Sequence, residues 1–232
     1  MENHTDNQTI TISNINKAEA ARYLGYRDSL PDVAMTKQIL MAEKELLAVI
    51  EPRFCYKVFD IEEEESGIRL IGTEFVLEGT SIKEHLADCE KTVVMAATLS
   101  EGVDKLLRQN EIGNMLNAMI LDALSNAAIE QVCDAAEEII FSNMPDCSHT
   151  WRFGIGYGDF PLTQQHMLLE VLQAGKRIGL CATESCILTP RKSVTCIMGV
   201  STKELGERKK TCKHCQLMEK CEFKRRGTTC YL

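Results

Sequence analysis

The chain has 232 residues, 44% of them apolar, and a formal net charge of −8, enough for one domain with a real core or a domain with a small appendage. No apolar run approaches the roughly 18 residues that a membrane helix needs, and the polar start Met1-Glu2-Asn3-His4 lacks the basic and apolar regions of an export signal, so a soluble, cytoplasmic protein without a membrane partner is expected. Eleven cysteines, an odd number that includes Cys133 and Cys196 on apolar segments, point to reduced core thiols rather than a disulfide framework.

Residues 1 to 13 are polar and expected to be flexible, with order beginning near Asn14. From Pro31 to Ile50 the apolar residues Val33, Ile39, Leu40, Leu46, Leu47 and Ile50 follow helical spacing. Arg53 to Ile61 and Ile68 to Leu77 read as two strands around the acidic turn Glu62 to Gly67. Ser81-Ile82-Lys83-Glu84 has the spacing of a capping box, which predicts a short helix to about Asp88. Val93 to Leu99 is a short continuous apolar run, a buried strand, and Ser100 is placed to cap the helix after it.

Gly113 to Asn143 carries the longest helical stripe, with Leu116, Ile120, Leu124, Ala127, Val132, Ala136 and Ile139 on one side. Asp122, Asn126 and Glu130 recur every four residues on a neighbouring face, which reads as solvated surface. Pro145 ends that helix, and Thr150 to Phe153 reads as a strand leading into Trp-Arg-Phe-Gly-Ile-Gly-Tyr-Gly-Asp-Phe-Pro, residues 151 to 161. Gly154, Gly156 and Gly158 around Tyr157 imply positive φ angles or a close backbone approach, and Arg152 adds a planar cation able to grip a carboxylate with two parallel hydrogen bonds. Thr163 to Leu172 is helical with Gly175 as its expected stop; Gly179 to Leu188 and Ser193 to Val200 are β-like around a turn at Thr189-Pro190. Hairpins and helices without steady βαβ alternation give an α+β class with a mainly antiparallel sheet.

The tail changes character. From Lys203 onward nine Lys or Arg stand against four Glu, and Cys212, Cys215, Cys221 and Cys230 are spaced C-x2-C-x5-C-x8-C in a stretch too polar to fold by burial. Four thiolates so close can enclose either a structural zinc or an iron-sulfur cluster, whose binding would supply the missing folding energy. Two aromatic residues in the tail and an acidic chain argue against nucleic acid as a partner. Three regions follow: the flexible N-terminus 1–13, an α+β domain 14–202 and a basic Cys-rich tail 203–232.

The order of Arg152, Gly154, Gly156, Tyr157 and Pro161 resembles the activation domain of cobalamin-dependent methionine synthase, whose ligand loop reads Arg-x-Ala-x-Gly-Tyr-Pro with a second proline close behind. In that family a helix follows, then Leu-Thr-Glu-Ser and a proline before a strand. Here Ala182-Thr183-Glu184-Ser185, Pro190 and Ser193-Val194-Thr195 stand in the same register, and the resemblance extends from Asp146 to Val200. It implies a curved, largely antiparallel sheet flanked by helices, and binding of S-adenosylmethionine by Arg152, Gly154, Gly156, Tyr157, Pro161 and Glu184, with Asn126 and Asp146 as further site positions. Asn126 aligns with an acid that the family directs at the sulfonium, and Met198 stands where the family has a tyrosine. The implied role is reductive reactivation of a separate cobalamin-carrying methionine synthase or related corrinoid methyltransferase, with an electron donor as a further partner. The domain would orient the methyl group and need no acid, base or nucleophile of its own. The residues leave open a redox role for a cluster on the tail and a ligand-free scaffold clipped by zinc.

Overall fold

The structure, a computed structural model, describes residues 8–26, 29–206, 219–221 and 225. In chain order the elements are β1 (Gln8–Thr9), α1 (Lys17–Tyr23), α2 (Val33–Leu47), β2 (Arg53–Glu63), β3 (Gly67–Leu70), β4 (Val76–Glu78), α3 (Thr80–Leu86), β5 (Lys91–Thr98), α4 (Glu101–Gly113) and α5 (Met115–Ser142). They continue with β6 (Ser148–His149), β7 (Phe153–Gly154), a 3-10 turn at Leu162–Gln164, α6 (Gln165–Leu172), α7 (Ala174–Ile178), β8 (Cys181–Ala182), β9 (Leu188–Thr189) and β10 (Ser193–Ser201).

One curled sheet runs β4-β3-β2-β5-β10-β6, with β1 added to the edge of β2 and β7 to that of β10, and every pair is antiparallel. The apolar run predicted as a buried strand is β5, which lies between β2 and β10 and is buried from Thr92 to Thr98. It is buried on both faces because each face of the sheet carries its own core. On one side Phe54, Val93, Met95, Cys196 and Met198 pack against Leu46 of α2, Val103 of α4, and Leu121, Leu124 and Val132 of α5. On the other, Cys55, Val94, Ala96 and Ile197 meet Ile82 of α3, Leu168 and Leu172 of α6 and Ile178 of α7. Burying each such aliphatic side chain contributes about 1.5 to 3 kcal/mol. The 28-residue α5 is capped by Asn114, whose side chain accepts from the Asn117 amide at 3.1 Å. Cys133 and Cys196 are buried thiols in the α5-side core, and burial pushes the Cys133 thiol well above its ordinary pKa.

Several local expectations change. Order begins before Asn14, since β1 pairs with β2 and Ile10 is buried. The single strand expected over Ile68 to Leu77 is two short strands, because Gly72 at φ +85 and a bond from the Thr73 amide to the Leu70 carbonyl turn the chain. Ser81 and Ser100 make no side-chain cap to their own helices. The helix expected from Pro31 starts at Val33, with Asp32 as its cap. Gln173, in the left-handed region at φ 54, stops α6, and Gly175 lies inside α7. The strand expected over Gly179 to Leu188 is a short hairpin of β8 and β9, because a turn closed by the Cys186 amide on the Thr183 carbonyl and the Thr183 amide on the Ile187 carbonyl, with Cys186 at φ 63, reverses the chain after Ala182.

Candidate functional site

The strand expected over Thr150 to Phe153 is interrupted. His149 faces Val200 and Phe153 faces Ile197 in the ladder with β10, so three residues, Thr150 to Arg152, oppose only Met198 and Gly199. This is a β-bulge, a device that re-aims a side chain. The Thr150 hydroxyl fills the gap by accepting from the Gly199 amide at 2.7 Å, and it also meets His85 Nε2 at 2.7 Å. Trp151 and Phe153 pack into the aromatic cluster on the α3 side, while Arg152 goes to α5.

On α5 the guanidinium meets a row of carboxylates. Nη1 donates to Glu137 Oε2 at 2.5 Å, and Nη2 donates to Asp134 Oδ1 at 2.7 Å and Glu130 Oε2 at 3.3 Å. The Arg152 side chain is 16% exposed, whereas those of Glu130 and Asp134 are 49% and 64% exposed. Burial works against its charge, but the neighbouring Asp134 and Glu137 carboxylates outweigh that, and its pKa rises further above the guanidinium range. One turn towards the start of α5 the row continues with Asn126 and Asp122, which hold Lys192 Nζ at 2.7 and 2.6 Å. Lys192 is held in turn by its own backbone: its carbonyl accepts from the Leu99 amide, and the next amide back, that of Arg191, bonds the buried Asp104 carboxylate at 3.0 and 3.2 Å.

The glycine loop is built around Tyr157. A Cβ on Gly154 would lie 3.0 and 3.1 Å from the Tyr157 ring, so the missing side chain is what lets the ring lie over the backbone. Gly156 and Gly158 take φ of +87 and +56, the left-handed region that glycine tolerates best. Two turns result, from the Tyr157 amide to the Gly154 carbonyl and from the Phe160 amide to the Tyr157 carbonyl. Tyr157 remains 55% exposed beside Trp151, and Phe160 is buried. Downstream, Asp159 accepts from the Thr80 and Ser81 amides at 2.7 and 2.8 Å and so caps α3. The Ser81 amide above all, with that of Thr80, holds its carboxyl down at about 2. Gln164 bonds the Val76 carbonyl and Glu78 amide, and Gln165 and Thr195 form a buried reciprocal pair.

Of the expected site residues, Arg152, Gly154, Gly156, Tyr157 and Pro161 share this loop, and Asn126 lies on the acidic face of α5. Glu184 is exposed at the tip of the β8–β9 ribbon and Asp146 is exposed after α5, and neither has a hydrogen bond or ion pair to the loop among the described residues. Met198 is fully buried in the α5-side core and reaches no surface. Of the four tail cysteines, Cys221 alone lies within the described residues, among which no group of three or more His, Cys, Asp or Glu is arranged to hold a metal. No helix among the described residues is long and apolar enough to cross a membrane. Asp134 and Glu137 were missed by sequence reasoning, although continuing the step of Asp122, Asn126 and Glu130 by four and then three residues reaches them.

The arrangement offers fixed charge rather than a nucleophile and its base. Arg152 has five N–H donors and commits three, and several partly exposed carboxylates adjoin it. Such a row suits a small zwitterion that brings a carboxylate to the cation and positive centres to the acids. No protein-family model matches this chain, and no curated protein does. Among solved structures it is similar to a crystal structure of the MetH reactivation domain bound to AdoHcy, at 17% identity and a TM-score of 0.65, over 97% of this chain and 86% of that one. The α+β fold with its curled antiparallel sheet is therefore that of the reactivation domain.

Proposed function

We propose that the chain binds S-adenosylmethionine through the Arg152 loop and offers its methyl group to the corrinoid of a separate cobalamin-dependent methyltransferase, as a reactivation partner. The observation that carries this reading is the conjunction of the Arg152 bulge, its row of acids and the Tyr157 loop on a fold whose solved neighbour holds AdoHcy. The ligand carries one carboxylate and two cationic centres, its ammonium and its sulfonium. Arg152 would pair the carboxylate, Glu130 and Asp134 the positive centres, and the exposed Tyr157 ring would lie against the nucleoside. Gly154 lets the Tyr157 ring lie over the backbone, and Gly156 supplies the left-handed turn that presents it.

These residues bind and orient. Holding the methyl group at a fixed angle to an incoming partner turns a bimolecular encounter into a nearly intramolecular one, and no proton needs to move within this chain. The test is calorimetric titration of the full chain with S-adenosylmethionine and with AdoHcy, followed by mixing with a reduced corrinoid methyltransferase. Saturable binding and partner-dependent conversion of S-adenosylmethionine to AdoHcy are expected. Absence of binding at millimolar ligand would leave a scaffold that keeps the fold without the ligand.

A further inference from the structure

The segment from Gly154 to Pro161 has three glycines and so a high entropic cost of ordering, yet α3, about 80 residues upstream, holds it in place. The contact is reciprocal. Asp159 Oδ2 and Oδ1 accept from the Thr80 and Ser81 amides, while Ser81 Oγ accepts from the Asp159 amide at 3.4 Å. This is the exchange of a capping box, made between two distant segments instead of within one. Gly79 is shaped to admit it: its φ is +117, and a Cβ there would lie 2.9 Å from Asp159 Oδ1 and 3.1 Å from the Asp159 carbonyl oxygen. No other residue type fits both the angle and the space.

We propose that Asp159 is a positioning residue for the ligand loop: by docking the loop on α3 it fixes the Tyr157 ring over Gly154 and presents a preformed edge to the ligand. The inference rests on the ligand-binding reading above. Arg152 is fixed independently by α5 and Gln165 by β10, and between them Asp159, beside the buried Phe160, docks the stretch that holds Tyr157 on α3. Releasing the clamp leaves both anchors in place and returns to the loop the freedom that binding must then remove.

The chain's one tryptophan, Trp151, lies 6.4 Å from the Tyr157 ring, centroid to centroid, and reports on the loop without a label. Asp159→Ala, Asp159→Asn and Gly79→Ala would be compared with wild type by AdoHcy calorimetry, by acrylamide quenching of Trp151 and by thermal unfolding. All three variants should stay folded at 20 °C, quench more readily when free, and bind AdoHcy about 5- to 30-fold more weakly. Asp159→Asn, which keeps one acceptor oxygen, should fall between wild type and Asp159→Ala. Saturating AdoHcy should bring quenching back to the wild-type level, which lost packing alone would not do. Folded variants with wild-type affinity and quenching would overturn the proposal and leave Asp159 a helix cap. Should wild type bind no AdoHcy, the ligand reading fails, and the quenching of Gly79→Ala, whose own residue is outside the loop, still decides whether α3 sets the loop. If Asp159→Ala does not fold, Gly79→Ala and Asp159→Asn decide in its place.

Discussion

Replacing Arg152 by alanine should act on folding and on binding by different amounts. Its three carboxylate partners are not equal. Asp134 and Glu130 are half exposed or more, where an ion pair is worth about 0 to 1 kcal/mol, whereas Glu137 is 24% exposed and its bond to Nη1 is charge-assisted, worth about 1.5 to 3 kcal/mol. Removing the cation also leaves three carboxylates facing one another. A stability loss of about 2 to 3 kcal/mol follows, or roughly 4 to 12 °C in thermal midpoint for a domain of this size. Ligand affinity should fall further than screening alone explains, by about 1.5 to 3 kcal/mol or roughly 10- to 150-fold, because one charge-assisted pair to the ligand carboxylate is lost. Arg152→Lys keeps the charge but not the planar fork, so it should recover stability better than affinity. Differential scanning fluorimetry and calorimetry at two salt concentrations separate the effects, since added salt relieves carboxylate repulsion without rebuilding the pair. An Arg152→Ala protein that binds S-adenosylmethionine as tightly as wild type would refute the carboxylate assignment.

Gly154→Ala brings a methyl group to within 3.1 Å of the Tyr157 ring, so the ring must shift; we expect weaker ligand binding with under about 1 kcal/mol lost in stability, read by calorimetry and thermal unfolding. Asp159 has its carboxyl held at about 2 against an ordinary 3.8, and a depressed carboxyl stabilises the fold above the ordinary value. The midpoint difference between wild type and Asp159→Asn should therefore be largest above about pH 4 and shrink as pH falls through about 2; a difference undiminished from about pH 5 down to below about pH 2 would contradict the capping role. In the tail, replacing Cys212 and Cys215 together by serine should abolish bound zinc, or iron with sulfide, while unfolding of the α+β domain stays unchanged; metal-free wild-type protein would remove that expectation.

Periodic features were legible because they depend on neighbours in sequence. The stripe of α5 and the continuous run of β5 report burial directly, and both appear where spacing put them. Caps proved less legible. The Ser81 spacing is that of a capping box, but Asp159, 78 residues away, takes the amides first, and no local pattern announces so distant an acceptor. The same applies to Arg152, which the sequence marks as a cation able to grip a carboxylate without naming one, while the fold supplies partners from a helix 15 to 22 residues upstream. Three of the five residues in that row, Asp122, Asn126 and Glu130, were visible as a repeat on one face. The surplus residue in the strand was not, because its count depends on the register of β10.

That surplus residue sets a phase. In an unbroken strand His149 and Arg152, three apart, would emerge on opposite faces of the sheet. Instead both reach Glu137, the imidazole Nδ1 at 3.7 Å and the guanidinium at 2.5 Å, while Phe153 still turns to the far core. Parity before Thr150 and parity after Arg152 thus belong to two incompatible alternations, reconciled by one unpaired position. Deleting one of the two residues between His149 and Arg152 would restore a single regular alternation in which the cation and the aromatic anchor keep their faces, at the loss of the extra position from which Thr150 meets both the Gly199 amide and His85.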